Sequence, residues 1–169
     1  MRKEVLAELA KEQHPYATIV GCSDSRVPPE LLFDAGFGEL FIIRVAGNII
    51  SPEIMGTLQY AAVRLKTPLF VVLGHEGCGA VQAAVARKYE GARERSRIEL
   101  VLDRIVPGLT GLPSRLPEEA RLDAAIEANV RWSMRQLRDT SEGQERIREG
   151  AFRLVGAVCE LQTGLVRFL

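Results

Sequence analysis

The sequence predicts an α/β fold: a mostly parallel central β-sheet flanked by helices, with a C-terminal antiparallel edge hairpin. Three observations predict it. Short β-rich apolar runs alternate with longer segments of helical period, the pattern of strands joined by crossover helices. The runs 17–22 (ATIVGC), 40–45 (LFIIRV) and 69–74 (LFVVLG) are almost continuously apolar, as strands covered on both faces are. At the C-terminus, 152–159 and 165–169 flank Gln162-Thr163-Gly164, which reads as a closing hairpin.

Taken in order, residues 1–13 carry Lys3, Glu4, Glu8, Lys11 and Glu12 among apolar residues, so no apolar core of a secretory signal is present there. Strands follow at 17–22 and 40–45. Ser51-Pro52-Glu53 starts a helix with a hydroxyl cap, proline at the first helical position and early negative charge. That helix is expected to run to Leu65, with Ile54, Leu58, Ala61 and Leu65 on its apolar face. After the strand 69–74, a helix is expected just beyond Cys78-Gly79, over 80–88. The charged stretch 87–96 (RKYEGARERS) reads as a loop with a solvated face, and Ser96 with Glu99 as a capping box opening the next helix. Residues 107–117 read as a connection before a long helix over 118–138, and 141–144 as the cap of one more. No repeat or linker interrupts the chain, so residues 1–169 are expected to form one domain.

Composition narrows the function classes. The chain has 169 residues, 47% hydrophobic and 26% charged, the balance of a globular domain. Its 22 basic and 22 acidic residues cancel, leaving no basic field to hold a nucleic-acid backbone. No membrane partner is expected. A chain of this size needs no metal or disulfide merely to fold, so a metal would serve chemistry. Three widely spaced cysteines, Cys22, Cys78 and Cys159, fit a reduced, cytoplasmic compartment better than a disulfide framework.

Chemistry concentrates in Cys22-Ser23-Asp24-Ser25-Arg26 and His75-Glu76-Gly77-Cys78-Gly79, each directly after a predicted strand. In open α/β sheets, ligands sit beyond the carboxyl ends of the strands, so both segments should open into one region. Cys22, His75 and Cys78 make a Cys₂His set, which leaves a tetrahedral zinc one open position, the catalytic arrangement. Two thiolates cancel the charge of the ion and weaken its Lewis acidity, so its neighbours must help. Asp24 and Arg26 are the candidates: the pair can be bidentate and fixed, and an ionised Asp24 can accept the proton of a zinc-bound hydroxide. Cys159, in an alternating strand, reads as core. His14 reads as a surface histidine and a weak proton-shuttle candidate.

In this order and spacing the motifs CSDSRVP at 22–28, RVAGN at 44–48 and GHxxCGA at 74–80 resemble the β-class carbonic anhydrases over nearly the whole chain. The resemblance implies zinc on Cys22, His75 and Cys78, with Asp24 and Arg26 as the catalytic dyad. It implies hydration of carbon dioxide to bicarbonate and a proton by attack of zinc-bound hydroxide. Further positions match the plant-like branch: Gln13 as a hydrogen-bond donor to substrate, Phe41 and Tyr60 as pocket wall, and Gly79 as a backbone N–H facing substrate. The family also implies a homodimer or a multiple of dimers, with wall residues crossing the interface. Ile19 stands where another branch has a Trp that supports aspartate on the metal, so Asp24 is expected to stay on Arg26. The chain departs from the family at Glu76-Gly77 and in a short N-terminal arm.

Other readings remain open on sequence alone. Carbonyl sulfide or carbon disulfide, linear like carbon dioxide, can meet the same nucleophile, so a hydrolase of either is the runner-up. A non-catalytic zinc protein is disfavoured by the intact Asp24–Arg26 pair. A cysteine phosphatase or sulfurtransferase with Cys22 as nucleophile is disfavoured, because a phosphate-cradling loop closes with an Arg further from the Cys and this one carries the acidic Asp24.

Overall fold

The computed structural model describes residues 3–94, 96–113 and 116–169. In chain order it contains α1 (Lys3–Leu9), β1 (Ala17–Gly21), α2 (Pro29–Leu32), β2 (Leu40–Arg44), α3 (Pro52–Tyr60), β3 (Leu69–His75), α4 (Gly79–Glu90), α5 (Ile98–Ile105), α6 (Glu118–Arg138), α7 (Ser141–Arg148), β4 (Arg153–Cys159) and β5 (Val166–Phe168). The sheet order is β2-β1-β3-β4-β5. The first four strands pair in parallel, and β5 runs antiparallel to β4. From β1 the chain winds outward to β2 and then returns to the other side of β1 for β3. The reversal opens a crevice at the carboxyl ends of β1 and β3, where such sheets bind ligands.

Both faces of the sheet are covered. Val72 and Val158 point into a cluster with Val81 and Val85 of α4, Leu102 and Ile105 of α5, and Ile126 and Val130 of α6. Their neighbours Val71, Leu73, Ala157 and Cys159 point the other way, onto Ile19 and Val27. This alternation is the two-residue period of a strand read on two buried faces. Cys159 therefore packs as core. Among the described residues no helix is long and apolar enough to cross a membrane.

Several expected boundaries differ for local reasons. The helix begun by Ser51, whose Oγ accepts from the Ile54 amide at 3.4 Å, is α-helical only to Tyr60 and widens into a π-turn over Ala61–Leu65. The Ala61 carbonyl there takes the Lys66 amide, the Thr67 amide and the Thr67 hydroxyl. That hydroxyl also meets Thr18 Oγ1 of β1 at 2.8 Å, so the widened turn sets the start of β3 against β1. Helix α4 runs to Glu90, which takes Arg87 to Glu90 out of the expected loop. Arg87 pairs there with Glu99 and Asp103. Ser96 accepts from the Ile98 amide, but Glu99 reaches the Glu94 amide instead of Ser96, so the capping box is not reciprocal. Thr140, one residue before the expected cap, accepts from the Gly143 amide. Residues 95, 114 and 115 of the two expected connections lie outside the described residues.

Helix α6 approaches β3 closely, because Gly74 leaves room for it. A Cβ on Gly74 would lie 2.6 Å from Val130 Cγ2, and a β-branched side chain on a helix cannot turn aside. Gly74→Ala is expected to cost about 1–3 kcal/mol by overpacking. In a double-mutant cycle by urea unfolding, Val130→Ala should recover part of that loss; an unchanged midpoint in Gly74→Ala contradicts the close approach.

Candidate metal centre

Parallel pairing of β1 with β3 matches Gly21 to Leu73, so Cys22, just past β1, and His75, the last residue of β3, emerge at the same edge. Cys78 lies three residues on, immediately before α4. The donor atoms of Cys22, His75 and Cys78 all lie within 4.8 Å of one another, and all three residues are buried. His75 Nδ1 is 2.8 Å from the Glu76 carbonyl oxygen. As the donor in that bond it leaves Nε2 with a lone pair, and Nε2 is buried with no hydrogen-bond partner among the described residues. A buried polar atom left unpaired is costly, and here it faces two sulfurs. Two thiols and an imidazole lone pair suit a thiophilic divalent cation.

The two sulfurs interact strongly. The Cys22 thiol is acidified chiefly by the Cys78 S–H that it accepts, against burial, with His75 and the Gly47 and Asp24 amides helping. Cys78, as the donor, is held protonated by Cys22 and by burial. A divalent cation bound by both sulfurs would have to displace their protons. For His75, burial opposes the charged form, but the Cys22 sulfur and the Glu76 carbonyl outweigh it and raise the pKa.

The loop after Cys22 is fixed from three directions. Asp24 Oδ1 accepts the Arg26 backbone amide and Nε, each at 2.9 Å, and Oδ2 accepts Nη2 at 2.8 Å. The Arg26 side-chain bonds therefore hold Asp24 well below the usual carboxylate range. Asp24 Oδ2 lies 3.9 Å from His75 Nε2. Arg44, at the end of β2, donates from Nε to the Cys22 carbonyl at 2.9 Å and from Nη2 to the Asp24 carbonyl. The Gly47 amide donates to Cys22 Sγ at 3.3 Å.

The other expected site residues are placed less uniformly. Phe41 of β2 and Tyr60 at the end of α3 come together, their ring centroids 6.2 Å apart, and Tyr60 is 50% exposed. Gly79 is the first residue of α4 and lies open to solvent. Gln13 is exposed between α1 and β1. His14 is exposed and sits 3.0 Å from Glu12. Glu76 turns its carboxylate away to accept the Leu161 amide at 3.0 Å, and Gly77 has a left-handed φ of 59°. The unusual Glu76-Gly77 pair thus braces the β4–β5 connection and turns the chain between His75 and Cys78. A cavity of about 320 Å³ lined by Met55, Leu58, Phe70 and Phe152 lies by the opposite, amino ends of the strands.

Arg44 and Gly47 stand in the 44–48 motif, yet the sequence alone showed no role for either, since both act through contacts to another strand end. Asn129 and Ser133 of α6, which bond the carbonyls of Gly47 and Asn48, were also missed. The available signal was two polar residues four apart on the face that carries Ile126 and Val130.

Residues 17–166 match the family model described as carbonic anhydrase. Carbonic anhydrase 2 of Mycobacterium tuberculosis is 38% identical over 159 residues, covering 94% of this chain and 76% of that protein. The carbonic anhydrase of Mycolicibacterium smegmatis is 36% identical over 162 residues, covering 95% and 77%. Among solved structures, the β-carbonic anhydrase CcaA superposes with a TM-score of 0.88 at 27% identity, covering 99% of this chain and 85% of that one. The Coccomyxa β-carbonic anhydrase, solved with acetazolamide, gives 0.84 at 28% identity, covering 96% and 75%. With that breadth of match and the Cys–His–Cys group at the switch point of the sheet, the chain belongs to the β-class carbonic anhydrase family.

Proposed function

We propose that this enzyme interconverts carbon dioxide and bicarbonate, with zinc held by Cys22, His75 and Cys78. The observation that carries the reading is the unpartnered, buried His75 Nε2 among two thiols, next to a carboxylate already fixed by arginine. Zinc bound there would supply the Lewis acidity that favours ionisation of a water for attack on the carbon, with help from the neighbouring groups.

The chain's own groups do the rest. Asp24 Oδ2, on the His75 side of the carboxylate, accepts a hydrogen bond from the nucleophile and orients its lone pair toward carbon. Arg26 keeps Asp24 ionised and in one rotamer through two parallel bonds. Arg44 holds the main chain of Cys22 and Asp24, so donor and acceptor move as one unit. Gly79, at the amino end of α4, presents a backbone N–H where negative charge develops on substrate oxygen. Phe41 and Tyr60 form an apolar wall suited to carbon dioxide, and Gln13 donates to substrate. Hydration consumes one water and releases bicarbonate and one proton, which must leave before the next turnover.

The half-exposed Tyr60 and the exposed Gln13 support a wall completed by a second copy of the chain, hence a homodimer or a multiple of dimers. Two carbonic anhydrases of Sordaria macrospora that share this fold are tetrameric.

Metal analysis is expected to find about one zinc per chain, lost in Cys22→Ser, His75→Ala and Cys78→Ser but kept in Cys159→Ala. Full zinc content in the double variant Cys22→Ser/Cys78→Ser refutes the ligand set. Stopped-flow hydration should show rapid carbon dioxide turnover; preference for carbonyl sulfide or carbon disulfide in parallel assays overturns the substrate assignment. Asp24→Asn should retain zinc and lose about 10²–10⁴-fold in rate, because an amide cannot serve as an anionic acceptor. Wild-type turnover by that folded, zinc-loaded variant removes Asp24 from the mechanism. Sedimentation at micromolar concentration should give a dimer or larger; a fully active monomer contradicts the shared wall.

A further inference from the structure

The turn over Ala46–Asn48 holds two successive residues in the left-handed region, Gly47 at φ 67° and Asn48 at φ 43°. The second is not a glycine, so the turn carries a conformational cost and persists only where its surroundings hold it. Two side chains of α6 hold it. Asn129 Nδ2 donates to the Gly47 carbonyl at 2.8 Å, and Ser133 Oγ donates to the Asn48 carbonyl at 3.0 Å. The two residues are four apart, hence one above the other on the same helical face, and are 1% and 0% exposed.

Packing does not account for them. They share the buried face of α6 with Ala125, Ile126 and Val130, where apolar side chains would avoid the cost of burying polar groups. Asn129 Oδ1 has no partner among the described residues, so the site tolerates a stranded acceptor in order to keep the Nδ2 donor. What that donor secures lies on the other side of the same residue. The Gly47 N–H points at Cys22 Sγ, 3.3 Å away, while Ile105 and Ala80 close off the space that a Cβ at Gly47 would need.

We infer that Asn129 and Ser133 are positioning residues for the metal centre: from α6 they lock the 46–48 turn so that the Gly47 amide stays on the Cys22 sulfur. The inference rests on the zinc reading above. An amide donor disperses charge on a buried thiolate and fixes the direction of its remaining lone pairs. Outer partners of this kind typically contribute 10–100-fold to metal affinity.

The test uses the full-length zinc protein and its cobalt-substituted form. Zinc affinity is read by competition with a chromophoric chelator, and sulfur geometry by the thiolate-to-cobalt charge-transfer band. Asn129→Ala is expected to bind zinc about 10–100-fold more weakly, Ser133→Ala less so, and both should shift the band. Tyr89→Phe, which removes a half-buried hydroxyl that bonds the Leu112 carbonyl at the far end of α4, should leave both readouts at wild-type values. A folded Asn129→Ala with unchanged zinc affinity and an unshifted band overturns the inference, as does equal weakening in Tyr89→Phe. If Asn129→Ala does not fold, Ser133→Ala decides by the same two readouts. Failure of the unmodified protein to bind zinc overturns the zinc reading and this inference with it. Tight zinc binding that neither variant alters overturns the inference alone.

Discussion

The centre depends on the parallel pairing of β1 with β3. Because Gly21 stands opposite Leu73, the first residue beyond β1 and the last residue of β3 reach the same edge of the sheet, and a cysteine and a histidine occupy them. A slip of the pairing would carry one donor along the sheet away from the other. The same lateral order supplies the support: β2 pairs with β1 so that Gly21 also faces Arg44, which places a guanidinium beside the Cys22 carbonyl. On the far side, Cys159 faces His75 and receives the Glu76 amide on its carbonyl. Metal donors, arginine and brace are thus consequences of strand order before any side-chain preference enters.

Concentrating sulfur and imidazole in a dry crevice has an electrostatic cost that the backbone offsets. Cys22 Sγ accepts the Gly47 amide, and the carbonyls of Cys22 and Asp24 accept Arg44. The Gly47 bond favours the ionised sulfur over its neutral form, while Arg44 holds the main chain on either side of it. On the proposed zinc reading, a cation held by both sulfurs would take the place of their protons.

The parts of this arrangement that were legible in the sequence are those set by local pattern. Continuous apolar runs identified β1, β2 and β3 within one residue of their ends, and the 118–138 helix followed from the proline- and glycine-bounded connection before it. Cys22, His75, Cys78 and the Asp24–Arg26 pair were legible because each sits directly after a strand, where chemistry is placed in open sheets. What local pattern does not carry is competition between partners. Glu99 could cap Ser96 or reach Glu94 and Arg87, and the ion pairs decided it. The π-turn at 61–65 leads into Thr67, which meets Thr18, a contact between residues forty-nine apart. Asn129 and Ser133 read as ordinary interruptions of an apolar face until the 46–48 turn is placed beneath them.

The position of Asp24 follows from a balance of charges. A carboxylate near a divalent ion gains Coulomb energy by binding it. In the zinc-bound form proposed above, however, two ionised cysteines would neutralise the ion's charge, so that attraction would be reduced to its local field. Against it stand three bonds to one arginine, two from a guanidinium that keeps its charge at every accessible pH and one from the Arg26 amide. Moving the carboxylate to the ion would give up all three and strand an arginine that also reaches toward the Gly77 carbonyl at 3.4 Å. On the proposed zinc reading the two cysteines would therefore do more than hold a metal: by neutralising it they would leave Asp24 on Arg26, ionised and beside the centre, as the proton acceptor that a weaker Lewis acid requires.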